Sequence, residues 1–470
     1  MGEQKRLAKS AMTDMTEGNA YKLILLFSLP LLVGNVFQQL YNMVDSIVVG
    51  NFIGDKALAA VGTGFPVIFM LSSLFMGVGV GATIMISQYY GAKDMDKVND
   101  TVGTIYTAML IGILPLSVIG IVASGPLLTL MKVPHDGTFA MARTYMIVIF
   151  AGIIGTLGFN INAGILQGLG DSKTSLLFLA IAALLNTVLD LVFTIVFRWG
   201  VFGVAFATII AQIVSWIFGI FYINKRYDCV KIRLFSFFFD RSLFVKAMKL
   251  GIPSGIQQAL FSVGIMMMQS LVNSYGSDFM AGFNGANKID TFAFMPIQSF
   301  TTAITTYTGQ NIGAGKIERV EEGIRSGLKM AVSTACFLVL CILLFGRLLI
   351  SFFTDTPYII DMSVTMLRII APGYIAFAVT QCLSGVMRGA GDATTPMWIS
   401  FFTTIVIRVP LAYLLAYLTR SAENPNGMPE SVFISLLCSW ILGAVINAVA
   451  FKKGRWRKKA KAGIGTKKED

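Results

Sequence analysis

The chain contains two copies of one long block. Residues 87–98 read SQYYGAKDMDKV and residues 309–320 read GQNIGAGKIERV, with Gln, Gly, Ala and Val at matching positions 222 residues apart. A second pair of segments, QGLGDSKTS at 167–175 and RGAGDATTP at 388–396, repeats at a step of 221. Most residues between these markers are apolar. We infer that the chain arose by tandem duplication of a set of membrane helices.

The composition supports membrane insertion. Charged residues make up 13% of the chain and hydrophobic residues 55%, whereas soluble domains carry about 25% charged residues. About 20 apolar residues in a helix cross the hydrocarbon core of a bilayer. We predict twelve such spans: 24–50, 57–89, 100–123, 139–167, 174–197, 201–223, 243–274, 279–312, 321–345, 358–387, 394–418 and 431–451. The predicted fold is an all-α integral membrane protein.

Each half has an even number of predicted spans, so both halves enter the membrane in the same orientation. Two six-helix bundles are then related by a pseudo-two-fold axis along the membrane normal. Two similar halves with a site between or within them are typical of secondary transporters. The predicted regions are an N-terminal tail (1–23), an N-lobe (24–223), a linker (224–249), a C-lobe (250–451) and a basic C-terminal tail (452–470).

The net charge of +12 follows the predicted topology. Most Lys and Arg residues lie in the two tails, the linker and the even-numbered loops. Because Lys and Arg are concentrated on the cytoplasmic side of membrane proteins, we place both termini in the cytoplasm. The first apolar run is a full span after a polar tail, and we expect an uncleaved anchor rather than a signal peptide. The basic charge therefore reflects topology and contact with the bilayer, and we expect no nucleic-acid partner.

Residues that carry enzyme chemistry are sparse. The five cysteines are dispersed without metal-ligand spacing, and the one histidine, His135, lies in a predicted outer loop. No nucleophile or metal constellation can be assembled from this pattern. We expect no enzyme activity, no cofactor and no metal beyond a coupling sodium ion.

Glycine and proline mark the predicted helices. Gly77, Gly79 and Gly81 superficially resemble a dinucleotide-binding loop, but no strand precedes them, and small residues that allow close helix approach explain them better. Pro30 and Pro253 open the first spans of the two halves. Proline removes a backbone donor and bends a helix. At Pro30 a static bend and a hinge remain equal alternatives.

The first predicted span carries a polar stripe. Asn35, Gln38, Asn42 and Asp45 follow the spacing 3, 4, 3, which places them on one helical face. An acidic group inside a membrane helix costs about 2.5–3.5 kcal/mol on insertion scales and is a functional hypothesis by default. The stripe therefore lines a cavity or a packed interior.

Two further spans of this half bring oxygen ligands to a similar depth. Asn186 and Asp190 share one face of the fifth span, and Thr208 lies in the sixth. Two unpaired carboxylates at close range cannot both stay ionised cheaply, so a proton or a cation must lie between them. This is how a site couples to H⁺ or Na⁺. The alternative is a pair of structural carboxylates bonded to hydroxyls and amides.

The second half differs. Its charges at the start of the eighth span are Lys288 and Asp290, which are two residues apart and face different directions. We predict that they have structural partners on other helices rather than contact with a transported compound.

Together these segments resemble the multidrug and toxic-compound extrusion (MATE) transporters over nearly the full chain. The resemblance is carried by Pro30, MVDSIVVG at 43–50, the duplicated markers, Asp190 and the GVAFATIIAQ stretch at 203–212. It implies two six-helix bundles and a cation site formed by Asp45, Asn186, Asp190 and Thr208, with Gln38 and Pro30 nearby. Asn35 and Asn42 extend that prediction to the cavity or gate. The C-lobe lacks the acidic residues of the sodium-driven branch, so the sequence is more similar to the prokaryotic DinF-like branch.

The resemblance implies a secondary active exporter of organic, amphipathic and cationic compounds in a prokaryotic cell membrane, acting as a monomer by alternating access. The coupling ion, H⁺ or Na⁺, stays open at this point. The second candidate is a flippase for a lipid-linked precursor. A flippase for an anionic pyrophosphate lipid needs Arg or Lys in its cavity, whereas this half presents Asp45 and Asp190.

Overall fold

The computed structural model describes residues 12–234, 236–351, 356–422 and 424–464. The beginning of the predicted N-terminal tail and the last six residues of the predicted C-terminal tail lie outside these ranges.

The described residues form helices, connected by short turns and one longer segment. No strand occurs among them. The helices are α1 Ala20–Phe52, α2 Asp55–Gly91, α3 Met95–Leu130, α4 Thr138–Ala151, α5 Ile153–Gly168, α6 Ser172–Leu191, α7 Gly200–Arg226, α8 Arg241–Ser274, α9 Ser277–Gly313, α10 Ile317–Ser351, α11 Pro357–Gly389, α12 Thr394–Phe401, α13 Val409–Leu418, α14 Glu430–Lys452 and α15 Arg455–Ile464.

The predicted all-helical membrane fold is confirmed. Within the described ranges, ten helical spans are long and apolar enough to cross a membrane, and α4 with α5 forms an eleventh that is bent by 53°. The remaining predicted span, 279–312, corresponds to α9, which has 37 residues. This helix is less apolar than the others because it carries Lys288, Asp290 and many Thr and Asn side chains.

Three spans predicted as single helices are irregular. The span at 139–167 breaks at Gly152, where an added Cβ atom would lie 2.3 Å from the side chain of Ile209. The fifth span ends in a π-helical segment, Val192–Val196, and the eleventh contains another, Phe402–Arg408. Short π-helical segments inside α-helices are frequent at functional sites. Here one of them begins two residues after Asp190.

The chain folds as two compact units. Among the described residues, the first unit contains those within Leu29–Ala259 and those before Gly18, and the second contains Gly18–Ser28 and those from Leu260 onward. Helices α1 and α8 therefore each contribute residues to both units.

In the first unit, α2 and α8 pack backbone to backbone. A Cβ atom added at Gly77 would lie 2.3 Å from the carbonyl oxygen of Gly251, and one added at Gly81 would lie 2.6 Å from that of Ala247. The predicted role of small residues in close helix approach is confirmed at these two positions. Gly79 has only one contact of this kind, at 4.0 Å.

The duplicated Gly–Asp markers form equivalent corners. Gly170 and Gly391 have φ angles of +84° and +87°, which glycine adopts at little cost. Asp171 caps α6 by accepting from the Thr174 N–H at 2.9 Å, and the Tyr227 hydroxyl donates to its other oxygen. In the second unit, Asp392 instead accepts a hydrogen bond from Lys459 at 2.7 Å. This bond fastens α15 to the start of α12.

We expect Lys459→Met to lower stability by about 2 kcal/mol, because Asp392 is fully buried and loses its cation. Lys458→Met removes an exposed cation from the same helix and is the control. Thermal unfolding of the purified variants measures the difference. Equal shifts in the two variants would contradict a specific anchoring role for Lys459.

Candidate functional site

A cavity of about 350 Å³ lies among α1, α2, α5, α6 and α7 of the first unit. From α1 it is lined by Pro30, Asn35, Gln38 and Asn42. These are the residues that the sequence predicted to line a cavity or gate, and the structure places all four at its wall. We call this space the polar cavity.

The other walls of the polar cavity mix apolar and neutral polar groups. Phe65, Phe69 and Met76 come from α2, whereas Asn160 comes from α5 and Gln212 from α7. None of the described residues that line the cavity is Asp, Glu, Lys or Arg. The cavity is therefore suited to an amphipathic molecule, and any charge that acts on its contents must come from residues behind the wall.

Such charges lie beside the polar cavity. Asp190 on α6 is fully buried and Asp45 on α1 is partly buried. Their carboxyl groups face each other within hydrogen-bonding range. Neither residue is among those described as lining the cavity. We call Asp45 and Asp190 the carboxyl pair.

Asn186 and Thr208 connect the carboxyl pair to the polar cavity. The Asn186 amide satisfies both of its neighbours when its nitrogen is assigned to the side facing Asp190. In that orientation the nitrogen donates to Asp190 Oδ2 at 2.7 Å, and the oxygen accepts from the Thr208 backbone N–H at 3.1 Å. Asn186 and Thr208 also line the cavity. Asn186 and Thr208 thus connect the carboxyl pair with the polar cavity, in which a ligand fits.

Among the described residues, no cation balances the negative charge of the carboxyl pair. Asp45 Oδ1 and Asp190 Oδ1 are both buried without a hydrogen-bond partner there. No Lys or Arg in the described ranges forms an ion pair with either carboxyl group. Two facing carboxylates repel each other strongly in such surroundings. The geometry therefore requires a proton or a cation at this point.

The sequence reasoning missed Tyr41. Its side chain lines the polar cavity, and its hydroxyl group lies near Thr208 and Asp45. A signal was present, because Gln38, Tyr41 and Asp45 follow the spacing 3, 4 on the same face of α1. Tyrosine in an apolar helix is usually read as packing, and its hydroxyl group was overlooked.

In the second unit, Lys288 and Asp290 face different directions, as the spacing predicted. Lys288 is exposed, whereas Asp290 is 5% exposed and accepts a hydrogen bond from the Tyr374 hydroxyl group on α11. Tyr374 packs in turn against Trp440 and Phe294. Asp290 is thus joined to a neighbouring helix inside an aromatic cluster.

We expect Tyr374→Phe to destabilise the protein by about 2 kcal/mol, because the buried carboxyl group of Asp290 loses its donor. Tyr413→Phe, at a 43% exposed position in the same unit, is the matched control. Thermal unfolding measures both variants.

Asp290→Asn keeps an acceptor for Tyr374 and should retain gradient-dependent transport. If it folded normally but lost that dependence, this residue would have to be a coupling site.

The chain is similar to known proteins over most of its length. The family model described as MatE matches residues 30–192 and 253–414. The "Probable multidrug resistance protein YpnP" of Bacillus subtilis (strain 168) is 30% identical over 94% of this chain and 97% of its own length. A crystal structure of a MATE protein in complex with MaL6 superposes with a TM-score of 0.86 at 25% identity, covering 96% of this chain and 98% of the other. A MOP superfamily transporter from Pyrococcus furiosus gives the same TM-score and coverage at 26% identity.

Proposed function

Because the chain belongs to the MATE family of multidrug and toxic-compound transporters, we propose that it exports amphipathic organic cations in exchange for protons. The exchange uses the polar cavity and the carboxyl pair of the first unit. One observation carries this proposal: Asn186 and Thr208 line the cavity and also link it to Asp190. Proton binding and substrate binding therefore act on the same side chains.

The hydrogen bonds around Asp190 favour a proton over sodium. Sodium is a hard cation, and such ions are coordinated by several oxygen atoms. Asn186 turns its nitrogen toward Asp190, and its oxygen is occupied by Thr208. The side-chain oxygens that remain for a cation are those of the carboxyl pair and the Tyr41 hydroxyl group, which are few for sodium. A single proton shared by the pair needs no further ligand and removes the repulsion between the two carboxylates.

The cavity wall supports a cationic, amphipathic substrate. Its aromatic and thioether groups suit an apolar body, and methionine adapts to varied shapes. When the carboxyl pair loses its proton, negative charge behind the wall attracts a positive group. The second candidate, a flippase for an anionic lipid-linked precursor, is disfavoured because no Lys or Arg occurs among the described residues that line the cavity.

Coupling requires two packings of the helices that differ in proton affinity. The protonated carboxyl pair favours one packing of α1, α6 and α7, and the deprotonated pair favours another. The segment at Pro30, which lacks one backbone donor, absorbs the difference. Because Lys and Arg gather on the cytoplasmic side, we place both termini there.

Inside-out vesicles with separately imposed gradients test this proposal. A fluorescent organic cation should accumulate when a proton gradient, acidic inside, is imposed. A sodium gradient of the same size should have little effect. Accumulation driven by sodium alone would contradict proton coupling, and transport only of anionic lipids would favour the flippase.

A further inference from the structure

An open depression on the protein surface, with a volume of about 560 Å³, lies along the beginning of α8. It is lined by Arg241, Ser242, Val245, Lys246 and Lys249, and we call it the basic cavity. Three cations thus occupy little more than two helical turns. Among the described residues, no carboxylate lies within 4 Å of any of them. Like charges on neighbouring turns destabilise a helix, so an anion bound here would relieve their repulsion.

The cation in the middle of the basic cavity is held in place. Lys246 Nζ lies 3.3 Å from the Tyr89 hydroxyl oxygen and 4.8 Å from the centre of its ring. Lys97 approaches the same ring at 5.8 Å, but it is paired with Asp94 at 3.3 Å. Lys246 therefore has an aromatic support and no acidic partner in the described part of the chain. It is positioned to bind an anion from outside the protein.

Apolar surface continues from the basic cavity along α8. Val245 and Ile252 are seven residues apart on one helical face and are 41% and 44% exposed. Just before the helix, Phe237 and Phe239 are 58% and 46% exposed. A phospholipid has an anionic headgroup and apolar acyl chains. The cationic end of α8 complements the headgroup, and the exposed apolar residues beside it complement the acyl chains.

The segment before α8, residues 237–240, is hydrogen-bonded to α3. The Thr107 hydroxyl group donates to the carbonyl oxygen of Phe238 at 2.8 Å, and the Asp240 N–H donates to Thr104 Oγ1 at 3.1 Å. Asp240 itself caps α8 by accepting from the Ser242 N–H at 2.7 Å. The hydrogen bonds of this segment therefore hold the start of α8, which carries the basic cavity, in a fixed position.

We propose that the basic cavity binds the phosphate headgroup of an anionic phospholipid. Arg241, Lys246 and Lys249 contact the phosphate, and the acyl chains lie along Val245 and Ile252. The positive-inside pattern places this end of α8 at the cytoplasmic leaflet, where anionic lipids attract Lys and Arg. The proposal depends on this orientation and not on which compound the protein transports.

Photolabelling of the full-length protein in nanodiscs tests the site. A photoactivatable phosphatidylglycerol probe should label peptides within 237–252, and mass spectrometry measures the labelled fraction. Each cation near an anionic headgroup contributes about fivefold in affinity. We expect R241Q/K246Q/K249Q to lower labelling of this region by at least about tenfold. The control K452Q/K453Q/K458Q makes the same charge change at exposed positions elsewhere and should leave it unchanged.

Two comparisons identify the ligand. A phosphatidylcholine probe should label the region weakly, and equal labelling by the two lipids would overturn the anionic specificity. Millimolar inorganic phosphate should not displace the lipid, and full displacement would identify a free phosphate site instead. If the triple variant failed to fold, the single variant Arg241→Gln should still reduce labelling by about fivefold. Unchanged labelling in a folded variant would contradict the proposal.

Discussion

Asp45→Asn and Asp190→Asn are each expected to abolish proton-driven export while leaving the protein folded. Asparagine preserves the shape of the side chain but cannot take up or release a proton. The carboxyl pair then no longer links the proton gradient to the packing of α1, α6 and α7. We expect gradient-driven uptake into inside-out vesicles to fall by about a hundredfold, toward the upper end of coupling effects between two sites.

The matched control is Asp361→Asn. Asp361 is also an aspartate on a long helix, but it is exposed and paired with Arg347 at 2.6 Å. Surface ion pairs of this kind contribute about 0–1 kcal/mol, so transport should stay near the wild-type rate. Near-normal export by Asp45→Asn would remove Asp45 from the coupling site.

Gly77→Ala is expected to produce the largest loss of stability. The added methyl group would lie 2.3–2.6 Å from the backbone of Gly251 and Gly255 on α8. Backbone atoms cannot move aside by changing a rotamer, so α2 and α8 would have to separate. Overpacking of this kind costs about 3 kcal/mol or more. Thermal unfolding of the purified protein should show a large decrease in midpoint temperature.

Gly62→Ala provides the control on the same helix. An added Cβ atom at Gly62 has no neighbour within 4 Å. Alanine favours the helix over glycine by about 1 kcal/mol, so this variant should be as stable as the wild type or slightly more stable. A Gly77→Ala protein as stable as Gly62→Ala would show that the α2–α8 contact is loose.

The sequence predicted the fold because its signals are long-range and redundant. The duplicated markers, the apolar runs and the Lys and Arg distribution each indicate the same helical membrane architecture. The break at Gly152 and the two π-helical segments were not predicted. These irregularities depend on tertiary packing, such as the contact of the Ile209 side chain with Gly152. Contacts of this kind produce no periodic pattern in the sequence.

The sequence predicted most residues of the candidate site, with Tyr41 as the exception, but it did not predict their geometry. The spacing of Asn35, Gln38 and Asn42 places them on one face of α1, and the structure shows that this face lines the polar cavity. The orientation of the Asn186 amide, with its nitrogen toward Asp190, follows from contacts between two helices. Periodicity within one helix carries no information on such contacts, although they determine which oxygen atoms could bind a coupling ion.

Substrate affinity as a function of pH tests the central claim most directly. Binding of a fluorescent organic cation to the purified protein should weaken as the pH is lowered from about 8 to about 5, because protonation removes negative charge beside the polar cavity. Asp45→Asn should flatten this dependence, and sodium added at constant ionic strength should not change it. Equal wild-type affinity over the whole pH range would contradict competition between proton and substrate and would leave the carboxyl pair as structural groups.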